Sequence, residues 1–278
     1  MSGIKLERHG AVVLLTLNRP EVGNAMDAAF WRDLPTVVRD LDSGGGVRCL
    51  VVAGEGKHFS TGMDLKMFAS PDTLSPRGGP DPAGSAEAFR SMVLRLQETF
   101  NCLEQARFPV LAAVHGACVG AGVDMISACD VRYASADAFF QVQEINIGMT
   151  ADVGTFPRLC KLIPDGWVRE LAYAGRRLDA ASAERIGLVN AVFDSREAVI
   201  AHAMATAQEI ALKAPLAVWG SKRMINYARD HSTADALDYV ATWNAGMFSP
   251  EQMAEAFRAQ MEKRPPELPD LKAPSKGL

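Results

Sequence analysis

Several short segments of this chain are apolar on both of the faces that a β-strand would present. In RCLVVA and PVLAAV nearly every residue is apolar, so neither face of such a strand suits water. Strands of this kind are typical of parallel sheets that helices cover on both sides. We predict strands at residues 11–17, 48–53, 109–114, 131–134 and 139–142, with a weaker one at 188–193.

Helical patterns lie between these strands, and the alternation predicts an α/β fold with crossover connections. Asp27 is a candidate N-cap for a helix that runs to residue 41, although Pro35 is expected to kink or restart it. A longer amphipathic helix is predicted at residues 85–105. Residues 69–84 contain four prolines and three glycines, which predicts a loop between folded pieces.

The strand pattern disappears after residue 195. Four helical patterns follow, at residues 197–213, 215–229, 233–247 and 250–263. We therefore predict two parts, an α/β core at residues 1–195 and a helical region at residues 196–278. The helical region is rich in apolar residues, and the sequence leaves open whether it packs on the core or on another subunit.

Composition excludes several classes of protein. With 278 residues and 48% hydrophobic residues the chain can bury a core, and its net charge of −4 argues against a nucleic-acid partner. No apolar run reaches about 18 residues, so no membrane partner is expected.

The N-terminus has neither an apolar signal core nor an Arg/Ser-rich leader, which predicts a cytoplasmic location. The spacing of the five cysteines and five histidines predicts neither disulfides nor a metal site.

Two glycine-containing turns follow apolar strands. FSTGMD contains Gly62, and VGAG contains Gly120 and Gly122. Because strand-to-helix turns leave backbone N–H groups without partners, two converging turns can stabilise an oxyanion. Each turn alone is more readily explained as an ordinary tight turn. The second also imitates a dinucleotide-binding fingerprint, but the third glycine is missing and Asp124 would place a carboxylate beside the phosphates.

Three acidic residues lie in or beside apolar segments: Asp124, Glu144 and Asp152. Carboxylates in such surroundings are either paired with a partner or functional. Each also has a structural explanation, since Asp124 can favour a helix N-terminus, Glu144 can end a strand and Asp152 can be an N-cap. Together with two oxyanion-binding turns, however, the acidic residues indicate proton transfer next to a carbonyl group.

The chain resembles the crotonase (enoyl-CoA hydratase/isomerase) family over nearly its whole length. The resemblance is carried by LTLNRPEVGNAM, LVVAGEGKHFSTGMDL, PVLAAVHGACVGAGVDMISACDVRYAS and AFFQVQEINIGMTADVGTFPRL. Within the family it is most similar to the dienoyl-CoA isomerases, through VDMISACDVRY, QEINIGMTADVGT, YARDHS and DYVATWN. The resemblance implies an α/β spiral of ββα repeats with a C-terminal helical trimerisation region.

The resemblance also implies roles for individual residues. The backbone N–H groups of Met63 and Ala121 would bind the thioester oxygen. Glu144 would remove a proton from the carbon next to the thioester, and Asp152 would return one at the far end of the dienolate. Asp124 would influence the charge balance nearby. The implied reaction moves two double bonds into conjugation with the thioester, as part of fatty acid β-oxidation.

Four further residues are expected to line the substrate site by the same resemblance: Gly62, Asp64, Gly120 and Gly122. Coenzyme A would be part of the substrate, and no separate cofactor or metal is expected. The helical region would build a homo-oligomer, either a trimer or a dimer of trimers.

Two other functions remain open at this point. One is another reaction on the same scaffold, such as hydration of an enoyl-CoA or a single double-bond shift. Hydratases of the family have a glutamate at the position of Asp124 and a glycine-rich stretch around Asp152, whereas the aspartates here match the isomerase pattern. The other is a non-catalytic family member that binds acyl-CoA or a protein.

Overall fold

The computed structural model describes residues 3–69 and 81–274 of the chain. Within them one sheet has the strand order β1–β2–β3–β4–β6–β9, in which β1 is antiparallel to β2 and the other neighbours are parallel. Its strands are β1 (Ile4–His9), β2 (Val12–Leu17), β3 (Cys49–Gly54), β4 (Val110–Val114), β6 (Val131–Ser135) and β9 (Ala191–Phe193). The α/β fold predicted from the sequence is confirmed.

A smaller sheet of the described chain lies beside the first. It contains β5 (Ala117–Val119), β7 (Phe139–Gln141) and β8 (Leu178–Asp179), with β7 in the middle. We did not predict β1, β5 or β8. The short β5 and β8 contain too few residues for a recognisable period, and β1 is an edge strand with mostly exposed side chains.

The helices of the described chain connect the strands and follow them. Their bounds are α1 (Ala28–Ser43), α2 (Pro82–Gln105), α3 (Ala121–Ser127), α4 (Thr155–Leu159), α5 (Asp165–Ala174), α6 (Ala180–Arg185), α7 (Arg196–Ala211), α8 (Pro215–Ala228), α9 (Thr233–Met247) and α10 (Pro250–Glu262). Short 3-10 turns lie at Pro20–Val22, Leu65–Ala69 and Glu144–Ile147. None of the described helices is both long and apolar enough to span a bilayer.

Helices cover both faces of the central sheet, which explains its doubly apolar strands. On β3, Leu50 and Val52 face one hydrophobic cluster, which α1 and α2 complete. The alternate residues Cys49 and Val51 face a second cluster, into which α7 inserts small side chains such as Ala203. Successive side chains of a strand point to opposite faces, so a sheet with two cores needs apolar residues at every position.

Helix α1 continues through Pro35 without the restart that we gave as one alternative. Asp27 caps it as predicted, and its side chain accepts a hydrogen bond from the Phe30 N–H. A proline has no N–H for the carbonyl four residues earlier, here that of Trp31. The hydroxyl of the buried Thr99 on α2 donates to that carbonyl at 3.2 Å and replaces the missing bond.

The predicted loop at residues 69–84 lies mostly outside the described residues, which resume at residue 81. Residues 82–84, which we assigned to this loop, instead form the first turn of α2. Asp81 caps the helix by accepting a hydrogen bond from the Gly84 N–H, and Pro82 occupies the first helical position. Proline suits that position because its missing N–H would have no helical partner there.

The four C-terminal helices lie close to the predicted bounds. Three begin at serine N-caps, namely Ser195, Ser232 and Ser249, because a serine hydroxyl can accept from a free N–H of the first turn. Helix α7 packs on β2, β3, β4 and β6, whereas α9 has no fully buried residue. The division at residue 195 stays a prediction.

Candidate active site

The two glycine-containing turns lie side by side. The Ser60 N–H donates to the carbonyl of Ala117 at 3.0 Å, and the Val119 N–H donates back to the carbonyl of Ser60 at 3.0 Å. This parallel bridge joins the segment after β3 to β5. The convergence that the sequence only suggested is therefore produced by main-chain pairing between segments about 58 residues apart.

Gly62 allows the two turns to approach closely. Its φ is +91°, a conformation that glycine adopts without a steric penalty. A Cβ atom at this position would lie 2.8 Å from the Val119 carbonyl oxygen and 3.4 Å from the Ala121 amide nitrogen. Any larger residue would push the first turn away from the amide of Ala121.

The N–H groups of Met63 and Ala121 have no hydrogen-bond partner within the described residues. Met26 pairs with the neighbours of Met63, donating to the Gly62 carbonyl and accepting from the Asp64 N–H. Because backbone groups alternate in direction along an extended chain, the N–H of Met63 points away from that pair. Ala121 is the first residue of α3, where an N–H has no helical acceptor.

Both residues line a cavity of about 470 Å³. Glu144 and Asp152 also line it, so the structure brings two of the predicted acidic residues together with the two predicted amide donors. Most of the remaining wall is apolar and includes Val22, Leu65, Ile147, Met149 and Val153. The cavity can therefore take a hydrocarbon chain whose polar end reaches the amide donors.

Glu144 begins the 3-10 turn that follows β7, and its carboxylate is directed toward Gly120. A Cβ atom on Gly120 would lie 3.2 Å from Oε1, and the buried Oε2 has no hydrogen-bond partner in the described chain. Burial, followed by the charge of Asp152, raises the pKa of Glu144. A carboxylate that lacks solvation in this way is a stronger base than one in water.

Asp152 is half-buried, between the buried residues Ala151 and Val153. Its backbone carbonyl accepts a hydrogen bond of 2.7 Å from the side chain of Gln97 on α2, which anchors the segment. Burial raises the pKa of Asp152. A carboxyl group that holds its proton more firmly than usual is suited to act as a general acid.

Asp124 lies behind the cavity wall and is fully buried. Its Oδ1 accepts two hydrogen bonds of 2.6 Å from Thr155, one from the N–H and one from the hydroxyl, while Oδ2 has no partner in the described chain. Burial raises the pKa of Asp124 to about 7, and the charges of Glu144 and Asp152 act in the same direction. Asp124 therefore does not contact the cavity, although its charge interacts with those of Glu144 and Asp152.

The expected substrate-lining residues divide into two groups. Gly120 and Asp64 line the cavity, but the Asp64 carboxylate is already bound by the Lys66 N–H and the Arg19 guanidinium, both at 3.1 Å. These bonds, that of Lys66 first, lower the pKa of Asp64. Gly62 and Gly122 are not part of the wall.

Both glycines outside the wall bring the two turns together. A Cβ atom on Gly122 would lie 3.3 Å from the carbonyl oxygen of Ser60, which matches the close approach at Gly62. Their role in this structure is therefore close packing of backbone against backbone.

Sequence reasoning missed three residues that hold the site: Thr155, Gln97 and Arg19. Arg19 donates to the carbonyl of Ala25 and to Asp64, and so joins the segment before α1 to the first turn. The threonine after Gly154 at a helix start was a detectable signal, because threonine there often donates to a nearby acceptor. No local pattern marks Gln97 or Arg19.

The fold and site together define a class of protein. A parallel α/β sheet presents two backbone N–H donors and two carboxyl groups to one largely apolar cavity, an arrangement that stabilises an enolate and moves protons. The family model described as "Enoyl-CoA hydratase/isomerase" matches residues 7–270. The chain belongs to the enoyl-CoA hydratase/isomerase family.

Individual relatives agree with this assignment. The chain is 44% identical to the mitochondrial Delta(3,5)-Delta(2,4)-dienoyl-CoA isomerase of Rattus norvegicus, over 91% of this chain and 77% of the relative. It is 39% identical to the peroxisomal enzyme of that name from Arabidopsis thaliana, over 96% of both chains. The crystal structure of an enoyl-CoA hydratase from Bacillus anthracis is 28% identical and superposes with a TM-score of 0.84, covering 96% of this chain and 99% of that one.

These names contradict the cytoplasmic location that we expected from the sequence. The rat relative is named as mitochondrial and the Arabidopsis relative as peroxisomal. Location is set by targeting signals that receptors read, and the packing of a folded core does not depend on them. Our expectation rested on the N-terminal residues alone, and neither they nor the folded core was sufficient to predict the compartment.

Proposed function

We propose that this protein isomerises 3,5-dienoyl-CoA to 2,4-dienoyl-CoA in fatty acid β-oxidation. The observation that carries the proposal is that Glu144 and Asp152 line the same cavity as the N–H groups of Met63 and Ala121. Two carboxyl groups and two oxyanion donors meet the needs of a reaction that removes a proton at one carbon and adds one at another. The dienoyl-CoA isomerase relatives support this choice among the reactions of the family.

The reaction begins with the thioester oxygen between the two amide donors. Glu144 takes a proton from C2, and the electron pair of that C–H bond moves through the two double bonds and the thioester to give a trienolate. The N–H groups of Met63 and Ala121 stabilise the negative charge that develops on the oxygen. Each such donor is worth about 3 kcal/mol in the transition state.

The second step returns a proton at C6. The protonated carboxyl group of Asp152 gives its proton to that carbon, and the electrons settle as double bonds at C2–C3 and C4–C5. Burial favours a proton on each carboxyl group, and charge repulsion means that two neighbouring carboxyl groups do not ionise together easily. The sequence of steps needs no separate cofactor or metal, since coenzyme A is part of the substrate.

The proposed chemistry differs from hydration in its use of the second carboxyl group. A hydratase needs two carboxylates that hold one water molecule, whereas Asp124 is fully buried behind the cavity wall and Asp152 lies in the wall. The two carboxyl groups that face the cavity are therefore the base and the acid of the proposed proton relocation.

The direct test is a comparison of substrates. Purified protein is incubated with 3,5-dienoyl-CoA, and the absorbance of the conjugated 2,4-diene is followed, while hydration of a 2-enoyl-CoA is measured in parallel. We expect isomerisation to be the faster reaction. The Glu144→Gln protein, purified in the same way, controls for contaminating activity. Faster hydration would instead indicate a hydratase. Binding of acyl-CoA without turnover would indicate a non-catalytic member of the family.

We also propose that the C-terminal helices join copies of this chain into a trimer or a dimer of trimers. Phe257 and Met261 on α10 are 57% and 79% exposed, as expected for an apolar surface that a partner covers. Sedimentation should show an oligomer for the wild type and smaller species for a Phe257→Glu, Met261→Glu double variant. Tyr173→Glu, at an aromatic residue on α5 that is 69% exposed, should leave the assembly intact. A monomeric wild type would contradict the proposal.

A further inference from the structure

Thr155 makes two short hydrogen bonds to the buried carboxyl group of Asp124. The backbone N–H and the hydroxyl of Thr155 both donate to the same oxygen of Asp124, at 2.6 Å each. Both residues are buried, with exposed fractions of 1% and 0%. Two bonds of this length to one oxygen fix the plane of the carboxyl group and leave only Oδ2 for a proton.

We propose that Thr155 is a positioning residue that holds Asp124 in one orientation and favours its charged form. Asp124 in turn acts on the two carboxyl groups that face the cavity. This inference rests on the proposed isomerase function, because its consequence for catalysis assumes that Glu144 and Asp152 exchange protons with the substrate.

The segment that carries Thr155 is itself held firmly. Arg158, one turn further along α4, donates to Asn101 at 2.7 Å and to Glu104 at 2.9 Å, both on α2. Gly154, just before Thr155, has φ +134°, a conformation that residues with side chains rarely adopt. The contacts of Arg158 with α2 therefore hold the start of α4, where Thr155 lies. Asp152 lies three residues earlier on the same segment, so a movement of Thr155 would also displace Asp152.

The charged and titratable groups around Asp124 oppose its ionisation. Glu144 lies on the 3-10 turn after β7, and Asp152 lies before α4; both charges raise the pKa of Asp124. Cys118 on β5 is also adjacent, but burial raises its pKa well above the usual range and keeps the thiol neutral. The bonds from Thr155 lower the pKa of Asp124 and so act against burial and against both acids.

Loss of the hydroxyl should therefore make Asp124 hold its proton to higher pH. Charge interactions are mutual, so a neutral Asp124 would also let Glu144 and Asp152 ionise more easily. The activity would then depend on Thr155 through the pH range in which Asp124 titrates, even though Thr155 does not line the cavity. If the role of Thr155 were packing alone, its substitution would change the stability of the protein but not the pH range in which Asp124 titrates.

The test compares Thr155→Val, which keeps the shape and the N–H, with Thr155→Ser, which keeps the hydroxyl. The titration of Asp124 is followed by infrared spectroscopy, using the protonated-carboxyl band that disappears in Asp124→Asn. We expect the midpoint to rise by about 1 pH unit in Thr155→Val and to stay near the wild-type value in Thr155→Ser. We also expect an inflection of kcat/KM where Asp124 titrates, and it should shift by the same amount.

Thr99→Val is the matched control, because it also removes the hydroxyl of a buried threonine, here one on α2 that binds the Trp31 carbonyl of α1 and not Asp124. It should lower stability and leave both titrations unchanged. Thr155→Ala replaces the valine variant if valine does not fold. An unchanged Asp124 midpoint in Thr155→Val, or an equal shift in Thr99→Val, would overturn the inference. Since the infrared titration needs no turnover, a wild type without isomerase activity would count against the proposed function alone.

Discussion

The carboxylate of Glu144 lies against the backbone of Gly120, where a Cβ atom would come within 3.2 Å of Oε1. Gly120 has φ +53° and ψ −119°, a combination that residues with side chains rarely adopt. It is also the residue before Ala121, whose N–H is one of the two proposed oxyanion donors. A single glycine therefore gives room to the proposed base and sets the direction of the proposed donor.

Gly120→Ala should consequently lower kcat/KM by about 10- to 100-fold, since it displaces both groups from the substrate. The matched control is Gly10→Ala, at a glycine with a similar φ of +65° but with no atom of residues 3–69 or 81–274 within 4 Å of the added carbon. Both variants should lose about 1–2 kcal/mol of stability through the strained backbone. Equal activity in the two variants would show that the contact with Glu144 has no catalytic consequence.

Exchange of the C2 proton separates the proposed roles of Glu144 and Asp152. In D₂O the Asp152→Asn protein should still exchange this proton, because the base and both amide donors remain, while isomerisation falls by at least about 100-fold. The Glu144→Gln protein should lose both reactions. Mass spectrometry of the recovered thioester measures the exchange, and acyl-CoA binding checks that each variant is folded. Full isomerisation by Asp152→Asn would remove the two-carboxyl mechanism.

The buried Asp124 should make the protein less stable as pH rises. Its folded pKa of about 7 lies above the usual value near 4, so its stabilising effect is present below about pH 4 and is lost as pH rises through 7. Relative to Asp124→Asn, the wild type should lose about 2–3 kcal/mol of unfolding free energy between pH 5 and pH 8. Urea denaturation at both pH values measures this difference. A constant difference would place the pKa of Asp124 in the ordinary range.

The hydroxyl of Thr99 should contribute to the unfolding free energy only because Pro35 lacks an N–H. Thr99→Val should lower the unfolding free energy by about 1 kcal/mol, since it leaves the buried Trp31 carbonyl without a partner. In a Pro35→Ala background the new N–H can bind that carbonyl, so the same substitution should cost much less. Additive effects in the double-mutant cycle, measured by urea denaturation, would contradict this explanation.

Local patterns were sufficient for the central strands and the C-terminal helices. The strand β3 was predictable because both faces are buried, so every position had to be apolar. The helices α7, α9 and α10 were predictable because each has a helical pattern of its own in the sequence. The partner of the Trp31 carbonyl was not predictable, because it is the hydroxyl of Thr99, a residue 64 positions beyond Pro35 in the chain.

The amino-acid sequence by itself determined the class of fold, the two glycine turns and the identity of the acidic residues, because these follow from local periodicity and from residue type. Only the tertiary structure decided which acids face the cavity. Glu144 and Asp152 reach it, whereas Asp124 is buried behind it and bound by Thr155. That outcome depends on the packing of α3 against α4 and on the pairing of β5 with the segment after β3. Such contacts join segments that are far apart in the chain, so no local pattern records them.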